Sequence, residues 1–157
     1  NYGPRQYAEK LIPKTIILAK LNRKIPIYGK GINIRDWIYV DDHCNGVLTA
    51  FLKGKSGESY NISKNNEINN LVIVKKILEL MNKSEDLIEF VEDRPGHDFR
   101  YSMSSKKISK ELGWKSKVDF EKGIQDTINW YEDHEDYWKD TPSSIFNPTP
   151  WKNLKKT

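Results

Sequence analysis

Arginine is rare in this chain, and its placement is the first indication of chemistry. The arginines are Arg5, Arg23, Arg35, Arg94 and Arg100, and most of them stand in segments punctuated by glycine or proline. A planar guanidinium forms paired hydrogen bonds with phosphate or carboxylate groups. The lysines are spread along the whole chain, as on a solvated surface. The arginines therefore predict a ligand that carries phosphate.

Polar and aromatic residues in the same segments could complete such a site. The full set is Asn1, Lys10, Tyr28, Arg35, Asn70, Arg94 and His97. A sugar nucleotide needs this combination: cations for the diphosphate, a ring to pack against the base, and amides for carbonyl and hydroxyl groups. Each residue taken singly is also typical of an ordinary surface or loop position. The prediction of a sugar-nucleotide site therefore rests on the set as a whole.

Familiar catalytic and cofactor motifs are incomplete in this sequence. Gly29 and Gly31 begin a G-x-G pattern, but Ile34 stands where the third glycine of a dinucleotide loop belongs, which favours a tight turn. Tyr60 and Lys64 have the Tyr-x-x-x-Lys spacing, yet that pair works on a helix and the flanking residues read as a strand. The histidines lack metal-ligand spacing. We therefore expect no catalytic, cofactor-binding or metal-binding residue in this sequence.

Composition limits the classes of protein that remain. With 157 residues and 37% apolar residues, the chain is long enough for one domain with a real core. No apolar run approaches the length of a membrane span, so we expect no membrane partner. The single cysteine, Cys44, excludes an internal disulfide and suggests a reducing, cytoplasmic location. A first residue of Asn1 instead of Met suggests a fragment.

The net charge of +4 comes from scattered lysines, so we do not expect a nucleic-acid partner. A basic nucleic-acid-binding module stays open as an alternative, and it would bind with a steep dependence on salt.

Alternating apolar patterns predict an α/β (mixed α+β) fold. Strands are predicted over 25–28, 34–40, 58–62 and 87–91. Five helices are predicted, and the first covers residues 8–21. The second follows a cap at Asp41 or Asp42 and has the apolar stripe Cys44, Val47, Leu48 and Phe51; the third follows a cap at Asn69 or Asn70 and has the stripe Val74, Ile77, Leu78 and Met81. The fourth runs from Ser104 or Ser105 to Gly113, and the fifth follows a cap at Asp119. We expect one domain over 1–140 and an extended, Pro- and Lys-containing tail over 141–157, in which Trp151 could dock.

Several motifs carry a family resemblance across residues 1–140. They are NYGP at 1–4, EKLIP at 9–13, PIYGKG at 26–31, IRDWIYVDDH at 34–43, ESYNI at 58–62, DRPGHDFRY at 93–101 and KISKELGW at 107–114. The segment at 34–43 is similar to extended short-chain dehydrogenases that act on nucleotide sugars. The segment at 93–101 is more specific, and the whole set resembles the dTDP-glucose 4,6-dehydratases.

The resemblance implies the C-terminal substrate-binding portion of an extended Rossmann-type nucleotide-sugar enzyme, without the N-terminal dinucleotide-binding region. In that family the missing half carries the NAD site, an acidic pair and the helical Tyr-x-x-x-Lys. The whole enzyme is a hydro-lyase that uses NAD to oxidise, dehydrate and re-reduce dTDP-glucose, giving the 4-keto-6-deoxy sugar. We expect this half to be inactive and free of NAD alone, to have the missing half as its partner, and to be a possible homodimer through uncovered strand and apolar surfaces.

The resemblance also implies which residues contact the dTDP-sugar. They are Asn1, Lys10, Leu11, Pro26, Ile27, Tyr28, Arg35, Asn70, Asp93, Arg94, Pro95, Gly96 and His97. Arg35 and Arg94 are expected to clamp the diphosphate with Lys10 as a supporting charge, and the loop 93–97 to close over the nucleotide. The alternative within the superfamily is the C-terminal half of a nucleotide-sugar epimerase or decarboxylase.

Overall fold

The computed structural model describes residues 1–152 and has the mixed α/β fold that the sequence predicts. The strands are β1 Ile25–Tyr28, β2 Ile34–Asp36, β3 Glu67–Asn69, β4 Ile88–Val91 and β5 Arg100–Tyr101. The helices are α1 Leu11–Lys20, α2 Val40–Lys53, α3 Asn70–Leu80, α4 Lys106–Leu112, α5 Phe120–Asp133 and α6 Glu135–Trp138, with 3-10 turns at Glu85–Leu87 and Ser143–Phe146.

The strands form two small sheets. β1 and β4 pair in parallel, with Ile25 opposite Ile88 and Tyr28 opposite Val91. β2 lies between β3, which runs antiparallel to it, and β5, which runs parallel. Since parallel strands end on the same side, the loops after β1 and β4 leave the first sheet together.

The main core lies among α1, α3 and α5 and the β1–β4 pair. Its fully buried side chains include Ile12, Ile16, Ile17, Ile25, Ile27, Ile73, Val74, Ile77, Leu78, Ile124, Ile128 and Tyr131. The helix caps that hold it are as predicted: Asn69 accepts a hydrogen bond from the Val72 amide at 2.9 Å, and Asp119 accepts one from the Glu121 amide at 3.0 Å. The caps therefore set where α3 and α5 begin, and the buried apolar side chains pack both helices against α1.

A second, smaller cluster lies between α2 and α4, and we call it the α2–α4 cluster. It contains Ile38, Ile108 and Trp114, with Ala50, Tyr60, Ile62 and Leu112 packed against it. α2 turns Gly46 towards this cluster, where an added Cβ would lie 2.8 Å from the Ile62 Cγ2 atom. The close approach of α2 to the cluster therefore requires a residue without a side chain at position 46.

The apolar stripe predicted for α2 faces outward. Cys44 is exposed, and Val47, Leu48 and Phe51 are 50%, 53% and 82% exposed. Leu52 extends the same surface, which we call the α2 outer face. The pattern located the apolar side of the helix correctly, but nothing within residues 1–152 covers it.

Other predicted boundaries also need correction. The helix predicted over 8–21 begins at Leu11. The strand predicted over 34–40 ends at Asp36, and beyond it the Trp37 indole donates to the Ile68 carbonyl at 3.0 Å. The strand predicted over 58–62 is wrong for the described part of the chain, where those residues have no ladder partner.

Neither predicted cap of α2 is the N-cap, which is Tyr39. Asp42 instead reaches across to the segment before α5. Its carboxylate accepts hydrogen bonds from the amides of Lys117 and Val118, each at 2.8 Å. This buried carboxylate therefore joins α2 to α5.

Residues 141–152 do not form the extended tail that was predicted, and the rest of that tail, 153–157, lies outside the described residues. Residues Ser143–Phe146 form a 3-10 turn, and Ile145 and Phe146 pack against the main core. The predicted docking of Trp151 is confirmed, since its ring lies against Tyr28. Within residues 1–152, no helix has the length and apolar character needed to span a membrane.

Candidate functional site

The candidate site forms where the turn after β1 meets the start of α3. The Gly31 amide donates to the Tyr28 carbonyl at 3.0 Å, which closes the turn. The Gly31 carbonyl then accepts from the Leu71 amide at 2.9 Å, and the Asn33 carbonyl accepts from the Asn70 amide at 3.1 Å. Backbone bonds therefore place Tyr28 and Asn70 on either side of one turn.

Gly31 is the conformational requirement of this turn. Its φ is +69°, in the left-handed region that favours glycine. An added Cβ would lie 2.7 Å from the Ile27 Cγ2 atom and 2.9 Å from the Leu71 Cβ atom. The G-x-G pattern is thus a tight turn that leads into β2, as the sequence predicts.

The loop 93–97 is organised by one carboxylate. The Oδ1 atom of Asp93 accepts from the Arg94 amide at 2.8 Å and lies 2.7 Å from the Nδ1 atom of His97. Gly96, with φ +65°, completes the reversal of the chain. The His97 side chain is only 7% exposed, so the loop holds this ring in a fixed position.

The loop is tied to β2 through the carbonyl of Asp98. That oxygen accepts from the Nη2 atom of Arg35 at 2.9 Å and from the Nδ2 atom of Asn33 at 3.2 Å. The Ile34 amide donates to the Phe99 carbonyl at 2.8 Å beside them. These bonds bring Arg35 and the 93–97 loop to the same side of the molecule.

The guanidinium groups of this region differ in how their charge is balanced. Arg35 donates to the carbonyls of Ile34, at 2.7 Å, and Asp98, and within residues 1–152 neither it nor Arg94 has a carboxylate within 4.0 Å. Arg100, in contrast, is held in a two-pronged pair by Glu67 at 2.7 and 2.8 Å. The charges of Arg35 and Arg94 are therefore available to an anionic ligand, and that of Arg100 is already neutralised.

Tyr28 is the aromatic centre of the site. Its ring centroid lies 6.2 Å from that of His97 and 4.9 Å from that of Trp151, and both neighbours stand nearly perpendicular to it. Burial raises the pKa of the Tyr28 phenol, while the charge of Arg94 acts to lower it and that of Glu9 to raise it. The pKa of the Tyr28 phenol is therefore affected by charges in both the 93–97 loop and the segment before α1.

The remaining predicted residues fall at three kinds of position. Lys10 is exposed at the N-cap of α1, and Leu11 packs against the main core beside β1. Pro26 and Ile27 are buried in β1, so their side chains shape the site from beneath. Asn1 is exposed and precedes Tyr2, whose amide donates to the carbonyl of Ile38 at 3.0 Å.

The structure adds residues that sequence reasoning missed. Asn33 is 5% exposed and bonds to the backbone carbonyl of Asp98. The one signal in the sequence is that Asn33 is a polar residue between two isoleucines, Ile32 and Ile34. Trp151 belongs to a segment that was predicted to be extended. A separate depression of about 570 Å³, lined by Lys64, Lys106 and other residues of α4 and its flanks, does not coincide with the predicted site.

The relation to known proteins agrees with this geometry. Residues 1–127 match the family model described as GDP-mannose 4,6 dehydratase. A probable dTDP-glucose 4,6-dehydratase from Sinorhizobium fredii is 40% identical over 154 residues, which is 94% of this chain and 44% of that protein. The resemblance read from the motifs is confirmed.

Solved structures give the same result. The dTDP-glucose 4,6-dehydratase from Bacillus anthracis, in complex with NAD, superposes with a TM-score of 0.85 at 45% identity, over 88% of this chain and 44% of that one. The enzyme of the same name from Streptomyces venezuelae, with NAD and TYD bound, gives a TM-score of 0.87 at 37% identity, over 88% and 43%. The chain therefore spans less than half the length of the relatives it matches.

Proposed function

This chain belongs to the GDP-mannose 4,6 dehydratase family, and from that premise we propose that it is the part of a dTDP-glucose 4,6-dehydratase that binds the dTDP-sugar. The single observation that carries the proposal is a pair of guanidiniums without a carboxylate partner within residues 1–152: Arg94, whose charge acts on Tyr28, and Arg35, which is bonded to the Asp98 carbonyl just after the 93–97 loop. A diphosphate needs such unpaired donors, and a nucleobase needs an aromatic neighbour.

Each part of the site has a separate task in this proposal. Arg35 is aimed by two carbonyl acceptors, so its remaining N–H groups can meet a diphosphate oxygen without searching many rotamers. The 93–97 loop, fixed by Asp93, brings Arg94 and the His97 ring to the nucleotide. Asn70, at the first turn of α3, and Lys10, at the N-cap of α1, add donors at the edges.

NAD does not fit the residues of this chain that the structure describes. A dinucleotide loop leads into a helix whose N-terminus holds the diphosphate, but the Gly29–Gly31 turn leads into strand β2. Tyr60 and Lys64 lie in extended chain and not on one helix face. We therefore assign no reaction step to these residues, and we propose that oxidation, loss of water and re-reduction require a separate NAD-binding half.

The α2 outer face supports the proposal of such a partner. Phe51 and Leu52 are 82% and 67% exposed, and the neighbouring segment 58–62 has no ladder partner in the described part of the chain. An exposed apolar helix face is typical of an interface. A homodimer through this face is the competing outcome, and the single cysteine, Cys44, supports a cytoplasmic location for either assembly.

The experiment that tests the binding function is calorimetric titration of this chain with dTDP, UDP and ADP at matched salt. We expect selective binding of dTDP. A preference for UDP would point to an epimerase or decarboxylase, and affinity for oligonucleotides that falls steeply with salt would point to a nucleic-acid-binding module. Failure to bind any nucleotide would contradict the proposal.

The partner is tested by sedimentation of this chain with the unmatched remainder of the Sinorhizobium fredii relative. We expect a complex that Phe51→Glu weakens, because the substitution places a charge on the α2 outer face. Val72→Glu is the matched control, since Val72 is 49% exposed on a different helix. Self-association that Phe51→Glu abolishes, with no complex, would favour the homodimer.

A further inference from the structure

A second cavity of the molecule shares no lining residue with the candidate site, and it is bounded by cations. This depression of about 570 Å³ is lined by four lysines, Lys64, Lys106, Lys110 and Lys115. Its other lining residues are serines, one asparagine and one tryptophan, so no carboxylate from residues 1–152 lines it. A cavity of this size can hold a small molecule. We call it the lysine depression.

The lysines of the depression are not neutralised by the part of the chain that the structure describes. Lys106 and Lys110 are four residues apart in α4, so their side chains lie on one face of that helix, where like charges repel each other. None of the four lining lysines forms an ion pair within residues 1–152, whereas the neighbouring Lys107 is paired with Glu58 at 2.5 Å. The depression therefore holds positive charge that an anion would neutralise.

The carboxylates closest in sequence or structure to the depression have other partners. Glu111 of α4 accepts a hydrogen bond from the Tyr60 hydroxyl at 3.3 Å. Asp36 accepts hydrogen bonds from the amides of Asn65 and Asn66, at 2.9 and 3.2 Å. Since neither carboxylate lines the depression, neither competes there with an incoming anion.

Hydrogen bonds between two segments fix the inner wall of the depression. The Nδ2 atom of Asn65 donates to the Ser105 hydroxyl at 2.9 Å, and the Ser63 hydroxyl donates to the Met103 carbonyl at 2.8 Å. Ser63 and Ser105 are both buried. The segment 63–65 is therefore held against the start of α4, and the wall is formed before a ligand arrives.

We propose that the lysine depression binds a small polyanion that carries two or more phosphate groups. Lysine suits such a ligand because its ammonium is a mobile point charge that can meet any of several equivalent oxygens. Ser109 and Ser116 also line the depression, and their hydroxyls can donate to the same oxygens. The inference does not depend on the proposed function, because the depression and the candidate site share no residue.

The test is calorimetric titration of the 157-residue chain with inorganic triphosphate, in the presence of dTDP to occupy the candidate site. The double variant Lys106→Gln/Lys110→Gln should weaken triphosphate binding about tenfold, because two charge-assisted contacts are lost. The matched control is Lys24→Gln/Lys139→Gln, which removes the same charge from two exposed lysines that do not line the depression. The control should bind triphosphate as tightly as the wild type.

NMR chemical shifts locate the bound anion. We expect triphosphate to shift the amide signals of Ser109 and Ser116. Shifts confined to the surroundings of Arg35, or absence of triphosphate binding, would overturn the inference and leave the proposed function standing. Binding of triphosphate at the lysine depression by a chain that binds no dTDP would support the inference while it contradicts the proposed function.

The control variant separates a site from a general effect of charge. Equal weakening of triphosphate binding by both double variants would overturn the inference, because the lysines would then act only through the net charge of the chain. Tighter binding of a single-stranded oligonucleotide, weakened equally by both double variants, would indicate an extended basic surface and would also overturn it.

Discussion

The helices α3 and α2 follow the same amphipathic pattern with opposite results. On α3, Val74, Ile77 and Leu78 recur at helical spacing and are all fully buried. On α2, the corresponding stripe reaches Phe51, which is 82% exposed. The amphipathic pattern therefore shows which side of a helix needs cover, while the cover itself comes from other elements.

This difference separates two tasks in the molecule. The main core is complete, and it supports the turn and loop that carry Tyr28, Arg35 and Arg94. The α2 outer face is apolar and uncovered within residues 1–152, which is typical of an interface. The proposed ligand site therefore lies beside the main core, and the proposed partner surface lies on α2.

The largest expected effect tests this comparison directly. Ile77→Ala should lower the free energy of unfolding by about 2–5 kcal/mol, because it leaves a cavity in the main core. Phe51→Ala, on the α2 outer face, should change it by about 0.5 kcal/mol or less. Urea unfolding of both variants measures the difference. Similar losses would mean that the α2 outer face is covered in solution, which would break the comparison.

A smaller effect is expected at the turn of the candidate site. Gly31→Ala should destabilise the fold by about 1–3 kcal/mol through its contacts with Ile27 and Leu71, in addition to strain from its positive φ. Gly57→Ala is the control, since Gly57 has φ +82° but no atom within 4 Å of an added Cβ. Thermal melting of the two variants isolates the packing contribution, and equal losses would show that strain alone matters.

A substitution at Arg35 is expected to change the affinity for ligand. Arg35→Lys should weaken dTDP binding about tenfold, because lysine keeps the charge and loses the planar fork that meets a diphosphate. Arg100→Lys should leave the affinity unchanged, since Glu67 already occupies that guanidinium. A salt-matched titration that gives equal affinity for wild type and Arg35→Lys would remove Arg35 from the site.

The smallest effect is a pH dependence at β3. The hydrogen bond from Arg100, with help from Ser102, lowers the pKa of Glu67 from 4.5 to about 2. A lowered pKa in the folded state means that this pair stabilises the fold above pH 4.5 and that the contribution is lost as the pH falls towards about 2. Because the pair lies at the surface and is screened by solvent, the contribution is small.

Urea unfolding of wild type and Arg100→Gln measures this contribution. The two proteins should differ slightly near neutral pH and converge in acid. A difference that stays constant across this range would mean that Arg100 acts through packing and not through the charge of Glu67.

The sequence predicted those elements whose ends are marked by local chemistry. Caps at Asn69 and Asp119, and the stop of α4 at Gly113, follow from hydrogen bonds and backbone freedom within a few residues. The ends of β2 and the pairing of 58–62 depend on partners distant in the sequence, so local patterns could not fix them.

In the candidate site, too, some residues could be predicted from the sequence and others could not. Arg35, Arg94 and Tyr28 were predicted from residue type and resemblance, and their role in binding stays a prediction; in the structure the charge of Arg94 acts on Tyr28, and Arg35 bonds to the Asp98 carbonyl. The roles of Asn33 and Asp98 could not be predicted, because a backbone carbonyl has no sequence signature. Trp151 was noted as able to dock, but the sequence could not identify its partner, which is the Tyr28 ring.

The parallel pairing of β1 with β4 also has a kinetic consequence. Ile25 and Ile88 are far apart in the chain, and α2 and α3 lie between them, so a long loop must close before this ladder can form. The 29–33 turn and the 93–97 loop meet only after that closure. In refolding, α3 and α5 can therefore acquire their helical signal early, whereas the ability to capture a nucleotide should return with the slowest, long-range phase.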